Sequence, residues 1–116
     1  MNNSRPLETK DGCIASAMEI VGNKWTALIL RDLFGGAKRF GELEKSVGHI
    51  NPRTLSKRLA VLEDNGIISK QVFAESPPHS EYSLTPKGEE LLPIIQGMSK
   101  WGAKYDYPVV KSQTTT

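Results

Sequence analysis

Residues 48–66 constrain the fold more than any other part of the sequence. Asn51 is a preferred helix N-cap, and Pro52 follows at the first helical position, where a missing N–H group costs nothing. Leucines then recur at spacings i, i+4 and i+7, and Asn65-Gly66 supplies a stop signal. The pattern predicts an amphipathic helix over residues 51–65. Such a helix must bury one stripe of leucines, which are Leu55, Leu59 and Leu62.

Three further helices are predicted before this leucine helix. The first covers residues 12–21 with Asp11 as its N-cap, and the second, which is mostly apolar, covers residues 24–34. The third covers residues 40–47, and only the short turn 48–50 separates it from the leucine helix. Two helices joined by a short glycine-containing turn are typical of a helix-turn-helix motif.

After the leucine helix the pattern changes from helical to alternating. Residues 67–74 and 80–85 alternate in hydrophobicity and are separated by Pro77-Pro78, which predicts a β-hairpin. A last helix is predicted over residues 86–105, with a kink at Pro93. This order of elements predicts a mainly α protein with a small β-hairpin wing, which is a winged helix-turn-helix.

The composition fits a single globular domain. The chain has 116 residues, of which 38% are hydrophobic and 24% charged, so wholesale disorder is excluded. We expect a flexible N-terminal arm over residues 1–10, the domain over 11–107 and a polar tail over 108–116. No apolar run has the length of a signal peptide core or of the roughly 20 residues that span a bilayer. With one cysteine and no membrane segment, the expected location is the cytoplasm.

The leucine helix carries basic and small polar side chains on its other face. At about 100° per residue, Arg53 and Lys57 point directly away from the leucines. Six basic residues stand against two acidic ones between Ala37 and Arg58, although the whole chain carries only +2. Long cations among small side chains suit a DNA groove, where Arg pairs with guanine. The candidate DNA contacts are Lys38, Arg39, Asn51, Arg53, Thr54, Ser56, Lys57, Arg58, Lys70, His79 and Ser80.

Simpler interpretations of some of these residues stay open. A charged helix face is usually only solvated, and Lys38 and Arg39 equally fit an ordinary surface. His79 is equally well a plain turn residue, and His49 is interpreted as a packing or capping residue. No His, Cys, Asp and Glu have the spacing of metal ligands, and no base accompanies the cysteine, so neither a metal, a cofactor nor an enzyme is expected.

Cys13 has two interpretations. In the first turn of the predicted helix, its thiol would lie at the positive end of the helix dipole, which favours the reactive thiolate. A lone cysteine near a terminus is more often a small buried hydrophobe. Its position alone leaves both interpretations open.

Four motifs together resemble the HxlR family of winged-helix transcriptional regulators, which are relatives of the MarR group. They are GNKWT (22–26), KRFGEL (38–43), INPRTLSKRL (50–59) and EYSLTPKG (81–88), within a matching stretch from Cys13 to Gly102. The resemblance implies a dimeric bacterial or archaeal repressor or activator. It also implies that the leucine helix enters the major groove, that the hairpin is the wing, and that the terminal helices dimerise. Some members carry an oxidant-sensing cysteine at the place of Cys13, although many have proline where this chain has Ile14.

The terminal helices also predict dimerisation independently. The first and last predicted helices carry more large apolar residues than one small core can cover, and exposed apolar patches mark interfaces. A twofold dimer would present two leucine helices about 34–36 Å apart to a pseudo-palindromic site. The candidate interface residues are Ile14, Met18, Leu91, Ile94, Ile95, Met98, Trp101 and Tyr105.

The sequence therefore predicts a regulator that binds specific double-stranded DNA as a homodimer, with an oxidant or a small molecule as the candidate effector. The alternative is a winged-helix module that uses the same surface on an acidic protein. The modest net charge of +2 leaves that alternative open.

Overall fold

The computed structural model describes the backbone of residues 7–106 and the side chains of residues 12–105. The fold is mainly helical with a small three-stranded antiparallel sheet, as the sequence predicted. Among the described helices, none combines the length and the hydropathy needed to cross a membrane. The elements are α1 (Leu7–Val21), α2 (Lys24–Leu33), β1 (Lys38–Arg39), α3 (Phe40–Val47), α4 (Pro52–Asp64), β2 (Ile68–Phe73), β3 (His79–Leu84), α5 (Pro86–Glu89), α6 (Leu92–Trp101) and a π-helical turn (Gly102–Asp106).

The leucine stripe of α4 lies at the centre of the core. Its three leucines, Leu55, Leu59 and Leu62, are at most 2% exposed. They belong to one cluster with apolar residues of α2, α3 and the sheet. Full burial of each leucine contributes roughly 1.5–3 kcal/mol, so this stripe fixes which side of α4 faces inward. The partners of the stripe in the cluster include Ile29, Leu30, Leu33, Leu43, Val47, Ile67, Ile68 and Tyr82.

The sheet has the order β1-β3-β2. The hairpin pairs Ile68 with Leu84 at its base and Phe73 with His79 near its tip, which confirms the predicted wing. Strand β1 was not predicted; it pairs Lys38 with Tyr82 across the sheet. Two residues are too few to show alternation, so only the pairing with β3 reveals this strand.

Helix α1 begins earlier than the sequence predicted. It starts by Leu7, so Asp11 lies inside it and the prediction of an N-cap there is wrong. Leucine, glutamate and lysine in the residues 7–10 favour helix, which lets the helix extend past the cap-type residue. Cys13 consequently lies beyond the first helical turn. The rest of the predicted arm (1–6) and the tail (108–116) lie outside the described residues.

The last predicted helix is two helices. It breaks at Glu90 and Leu91, and Pro93 lies in the first turn of α6 instead of kinking a continuous helix. Proline has no N–H group to donate to the carbonyl four residues earlier, which is that of Glu89. The helix therefore ends at Glu89 and starts again where the proline is tolerated.

Helix α5 is bound to the end of α4 at a close backbone approach. The Thr85 hydroxyl lies 2.6 Å from the Gly66 carbonyl and 3.1 Å from that of Ile67, and it accepts from the Gly88 amide at 3.1 Å. The Lys87 Nζ donates to the Asn65 carbonyl at 2.8 Å. A Cβ atom at Gly88 would lie 2.1 Å from the Ile67 oxygen, so only glycine fits. These contacts hold the α4–α5 junction together.

This close approach predicts the effect of adding a methyl group at Gly88. Gly88→Ala should lower the free energy of unfolding by about 1–3 kcal/mol, because the backbone must move apart. Gly41→Ala on α3 is the control: nothing lies within 4 Å of a Cβ there, so it should be neutral or stabilising by up to about 1 kcal/mol. Urea unfolding followed by circular dichroism measures both. A Gly88→Ala protein as stable as the parent would contradict the close backbone contact between Gly88 and Ile67.

Candidate nucleic-acid interface

The turn between α3 and α4 sets the start of α4. Gly48 and His49 both have left-handed backbone, with φ of 83° and 52°, and Ile50 is buried behind them. Left-handed backbone is free of cost for glycine and unfavourable for histidine. The His49 side chain is exposed, so the predicted packing role is wrong; this residue contributes its backbone conformation to the turn.

Asn51 caps α4 as predicted. Its Oδ1 accepts from the backbone amides of Arg53 at 2.7 Å and Thr54 at 3.4 Å. The side-chain oxygen is therefore engaged within the helix, and only the amide nitrogen is left to donate to a ligand. The sequence also proposed Asn51 as a DNA contact, and any such contact must use that nitrogen.

The face of α4 opposite the leucines has the predicted composition. Arg53, Ser56 and Lys57 are exposed, and Thr54 and Arg58 at its edges are half-buried. No acidic side chain lies in the first turn of the helix. The face therefore presents two long cations beside small side chains, and no acidic side chain of the first helical turn offsets their positive charge.

Lys38 and Arg39 lie on β1, directly before α3. Arg39 is exposed, and its backbone amide donates to the Glu42 carboxylate at 2.8 Å, which stabilises the first turn of α3. Lys38 is half-buried, and its Nζ lies 3.8 Å from where a Cβ of Gly35 would be. Of the two, Arg39 is the more available to a ligand.

The wing positions the remaining candidates differently. Lys70 is exposed on β2. His79 is the first residue of β3, so its interpretation as a turn residue is wrong. Its ring stacks on Phe73 at 4.8 Å between centroids, and its Nε2 lies 3.3 Å from the Glu81 carboxylate. These contacts order the tip of the hairpin and bring a negative charge beside the histidine. Ser80, the next residue on β3, is half-buried.

A polar connection between α2 and α3 was missed by the sequence analysis. The Arg31 Nη2 donates to the Ser46 carbonyl at 3.3 Å, and its Nε lies 3.1 Å from the Asp32 carboxylate. The Ser46 hydroxyl donates to the same carboxylate. The network holds α3 against α2. No local pattern marks it, because its contacts between the two helices join residues that are 14 and 15 positions apart in the chain.

The terminal helices expose most of the predicted interface residues. Trp101 and Tyr105 are 62% and 60% exposed. Leu91 and Ile95 differ, because they are half-buried and pack against the core of their own chain. The exposed stripe consists of Ile14 and Met18 on α1 together with Ile94, Met98, Trp101 and Tyr105 on α6 and the turn after it.

Cys13 is a free thiol and is exposed. The interpretation as a buried hydrophobe is therefore wrong. The argument from the helix dipole is also wrong, because the residue lies beyond the first turn of α1. Its neighbour Ile14 belongs to the exposed stripe. Within the described residues, no group of three or more His, Cys, Asp or Glu side chains is placed to hold a metal ion.

The fold and the basic face of α4 define the class of protein as a winged helix-turn-helix transcriptional regulator. The model of the HxlR-like helix-turn-helix family matches residues 20–109, and the chain belongs to this family. The HTH-type transcriptional regulator YdeP of Bacillus subtilis is 41% identical over 96 residues, which are 82% of this chain and 75% of YdeP. YvaP of the same organism is 40% identical over 92 residues, which are 79% of this chain and 85% of YvaP.

Two solved structures show the same fold. The redox regulator HypR in its oxidised form is 34% identical with a TM-score of 0.75, over 78% of this chain and 94% of HypR. The reduced form of YodB from B. subtilis is 36% identical with a TM-score of 0.72, over 81% of this chain and 92% of YodB. HypR is named a redox regulator and YodB a transcriptional regulator, which agrees with the class that the fold defines.

The cap of α4 predicts a difference between two substitutions of Asn51. Asn51→Ala should lower the free energy of unfolding by about 0.5–2 kcal/mol, because the amides of Arg53 and Thr54 lose their acceptor. Asn51→Asp should keep nearly all of the stability, since aspartate caps equally well and suits the positive end of the dipole. Thermal unfolding compares the two, and equal losses would mean that the cap contributes nothing.

Proposed function

We propose that the chain binds specific double-stranded DNA as a homodimer, with α4 in the major groove. The observation that carries this proposal is the face of α4 opposite the buried leucines, where Arg53, Ser56 and Lys57 are exposed together. Arg53 is suited to bidentate contact with a guanine, and Lys57 to guanine or phosphate. Ser56 and the exposed Ala60 are small enough to let the helix backbone approach the bases.

The elements around α4 supply the flanking contacts in this proposal. Thr54 and Arg58 reach sideways from the edges of the face toward the DNA backbone. Arg39, with Lys38 beside it, contacts a phosphate at the positive end of α3. On the wing, Lys70 contacts the neighbouring backbone. His79, Ser80 and the Asn51 amide nitrogen complete the proposed set.

The homodimer in this proposal forms through the exposed stripe on α1 and α6. Burial of large apolar side chains such as Met98 and Trp101 stabilises the dimer by about 25 cal/mol per Å² of apolar surface removed from water. Side chains 12–19 of α1 are all exposed, so α1 is poorly covered by the described chain itself. A second copy covers both surfaces at once and places two α4 helices on successive turns of a pseudo-palindromic site. Within this proposal the protein works in the cytoplasm.

The central test removes the two outward cations of α4. The parent protein first selects its sites from a random DNA library, and Arg53→Ala/Lys57→Ala is then titrated against a selected site. The double variant should raise the Kd at least about 30-fold, because two charged contacts of roughly 1–3 kcal/mol each are lost. The salt dependence of log K should also become shallower by about 1 to 2.

The matched control removes two charges elsewhere. Lys24→Ala/Lys100→Ala changes exposed lysines on α2 and α6, outside the proposed contacts, and should leave the Kd within a few-fold. Circular dichroism confirms that both variants fold. If the Arg53/Lys57 variant binds like the parent, α4 is not the reading helix. If the parent selects no discrete sites, the module acting on an acidic protein is the better description.

We further propose that the Cys13 thiol responds to oxidants or electrophiles. The thiol is exposed and adjoins the stripe that we assign to the dimer, so a modification there alters the contacts of α1 with the partner. A diazenedicarboxamide oxidant such as diamide would take two electrons and two protons from two thiols, which are the Cys13 thiols of two chains, since each chain has one cysteine. The thiols would form a disulfide, and diamide would become the hydrazine. A quinone would instead add to the thiolate and become a thioether-bearing hydroquinone. The redox regulator HypR and the diamide-treated YodB are structural relatives.

This proposal predicts that one substitution abolishes the response. Diamide should lower the affinity of the parent for its selected DNA site by about tenfold or more, and dithiothreitol should restore it. Cys13→Ser should bind the same site with the parent's Kd and show no response, because it lacks the only thiol of the chain. Cys13→Ser protein that still loses its DNA under diamide would rule out the sensor.

A further inference from the structure

A groove lies behind α4, between α1, the C-terminal end of α4 and the α5–α6 segment. Its volume is about 480 Å³, which is the size of a small-molecule site. It does not include the outward face of α4 or the wing. The apolar part of its wall is aliphatic and comes from all three sides: Ala17, Ile20, Val61, Ile67, Leu91 and Ile94.

The polar part of the groove carries a negative balance of charge. Glu19 on α1 and Glu90 between α5 and α6 both line it. Neither carboxylate has an ion-pair partner among the side chains that the structure describes. The only cation in the lining is Lys87, and its Nζ donates to the Asn65 carbonyl at the end of α4. Because a helix C-terminus is itself partly negative, the charge of Lys87 is partly offset there.

We propose that this groove binds a cationic amphipathic small molecule. The aliphatic body of the ligand lies against Ile20, Ile67 and Leu91, and its ammonium group lies between Glu19 and Glu90. An anionic amphiphile would meet the same two carboxylates and be repelled. The inference rests on the proposed function only where it treats this ligand as an effector of DNA binding; binding of the ligand itself does not depend on DNA.

The position of the groove connects a ligand to the DNA-reading helix. Val61 and Asn65 belong to the last turn of α4 and to its C-cap, and both line the groove. Lys87, which also lines it, bonds to that same C-cap at 2.8 Å. A ligand there contacts α4 directly, and through Leu91 it also contacts the segment that leads into α6. It therefore touches the element that reads DNA and the approach to the proposed dimer helix.

The candidate dimer residues of α1 point away from most of the groove. At about 100° per residue, Ser16, Glu19 and Ile20 lie at least about 100° around α1 from Ile14 and Met18, whereas Ala17 lies about 60° from Ile14. The groove and the exposed stripe therefore use largely different sides of α1. Ile94 is shared, because it is 45% exposed and stands at the edge of both surfaces.

The test titrates the full chain, without DNA, with octyltrimethylammonium below its aggregation concentration. Amide chemical shifts in 15N spectra should saturate at one ligand per chain, and the largest shifts should fall on residues lining the groove. Octanoate, with the same chain length and the opposite charge, should bind at least about tenfold more weakly. The proposal is overturned if the cation does not saturate, if octanoate binds equally well, or if the shifts centre on Met98 and Trp101.

Variants test the charge argument. Glu19→Gln/Glu90→Gln should raise the Kd for the cation about fivefold or more, whereas Glu63→Gln/Glu75→Gln, which removes two exposed carboxylates outside the groove, should not change it. Lys87→Gln should lower the Kd by about twofold or more, because it removes the opposing charge. The inference is contradicted if the Kd for the cation is unchanged in Glu19→Gln/Glu90→Gln, or if it rises in Lys87→Gln.

A steric variant tests the site without changing its charge. Ala17 is exposed on α1, so Ala17→Phe should fold normally and fill the groove, which should abolish binding of the cation. Binding that survives in a folded Ala17→Phe protein places the ligand elsewhere and overturns the inference. A chain that binds the cation in the groove but selects no DNA contradicts only the proposed function. A chain that selects DNA but binds no cation contradicts only the proposed ligand site in the groove.

Discussion

Burial of the α4 leucines is the constraint on which the rest of the structure depends. Leu55, Leu59 and Leu62 pack into a single cluster with α2, α3 and the sheet, and this fixes the rotation of α4 about its own axis. Once that rotation is set, Arg53 and Lys57 must face outward, because they lie on the opposite side of the helix. The position of the basic face is thus a consequence of the hydrophobic core. No separate interaction is needed to hold the cations in place.

The second structural connection is the junction between α4 and α5. Thr85 and Lys87 bond to carbonyls at the end of α4, and the backbone at Gly88 approaches Ile67 more closely than any other residue type allows. The start of the segment leading to α6 is therefore fixed to the end of the proposed reading helix. The junction thus connects α4 to the segment that leads into α6, outside the wing.

Local patterns predicted the elements whose signals lie within a few residues. The cap at Asn51, the leucine stripe and the hairpin around Pro77-Pro78 were all found at the predicted places. Local patterns failed where a distant partner decides the outcome. Strand β1 exists only because it pairs with β3, and the ring of His79 is ordered by Phe73 across the hairpin. The predicted start of α1 was wrong because the cap-type residue Asp11 follows a leucine, a glutamate and a lysine that already favour helix.

The sequence by itself determined the helix-turn-helix, the hairpin, the face of α4 that carries its cations, and the family motifs, because each depends on spacing along one segment. Only the tertiary structure decided which apolar residues are used by the chain's own core. It packs Leu91 and Ile95, both half-buried, against that core and leaves Met98 and Trp101 exposed, although all four belong to one predicted apolar face. It also showed that Cys13 is exposed and brought Glu19 and Glu90 to one groove. Burial and charge balance depend on contacts between segments far apart in the chain, and spacing alone does not contain them.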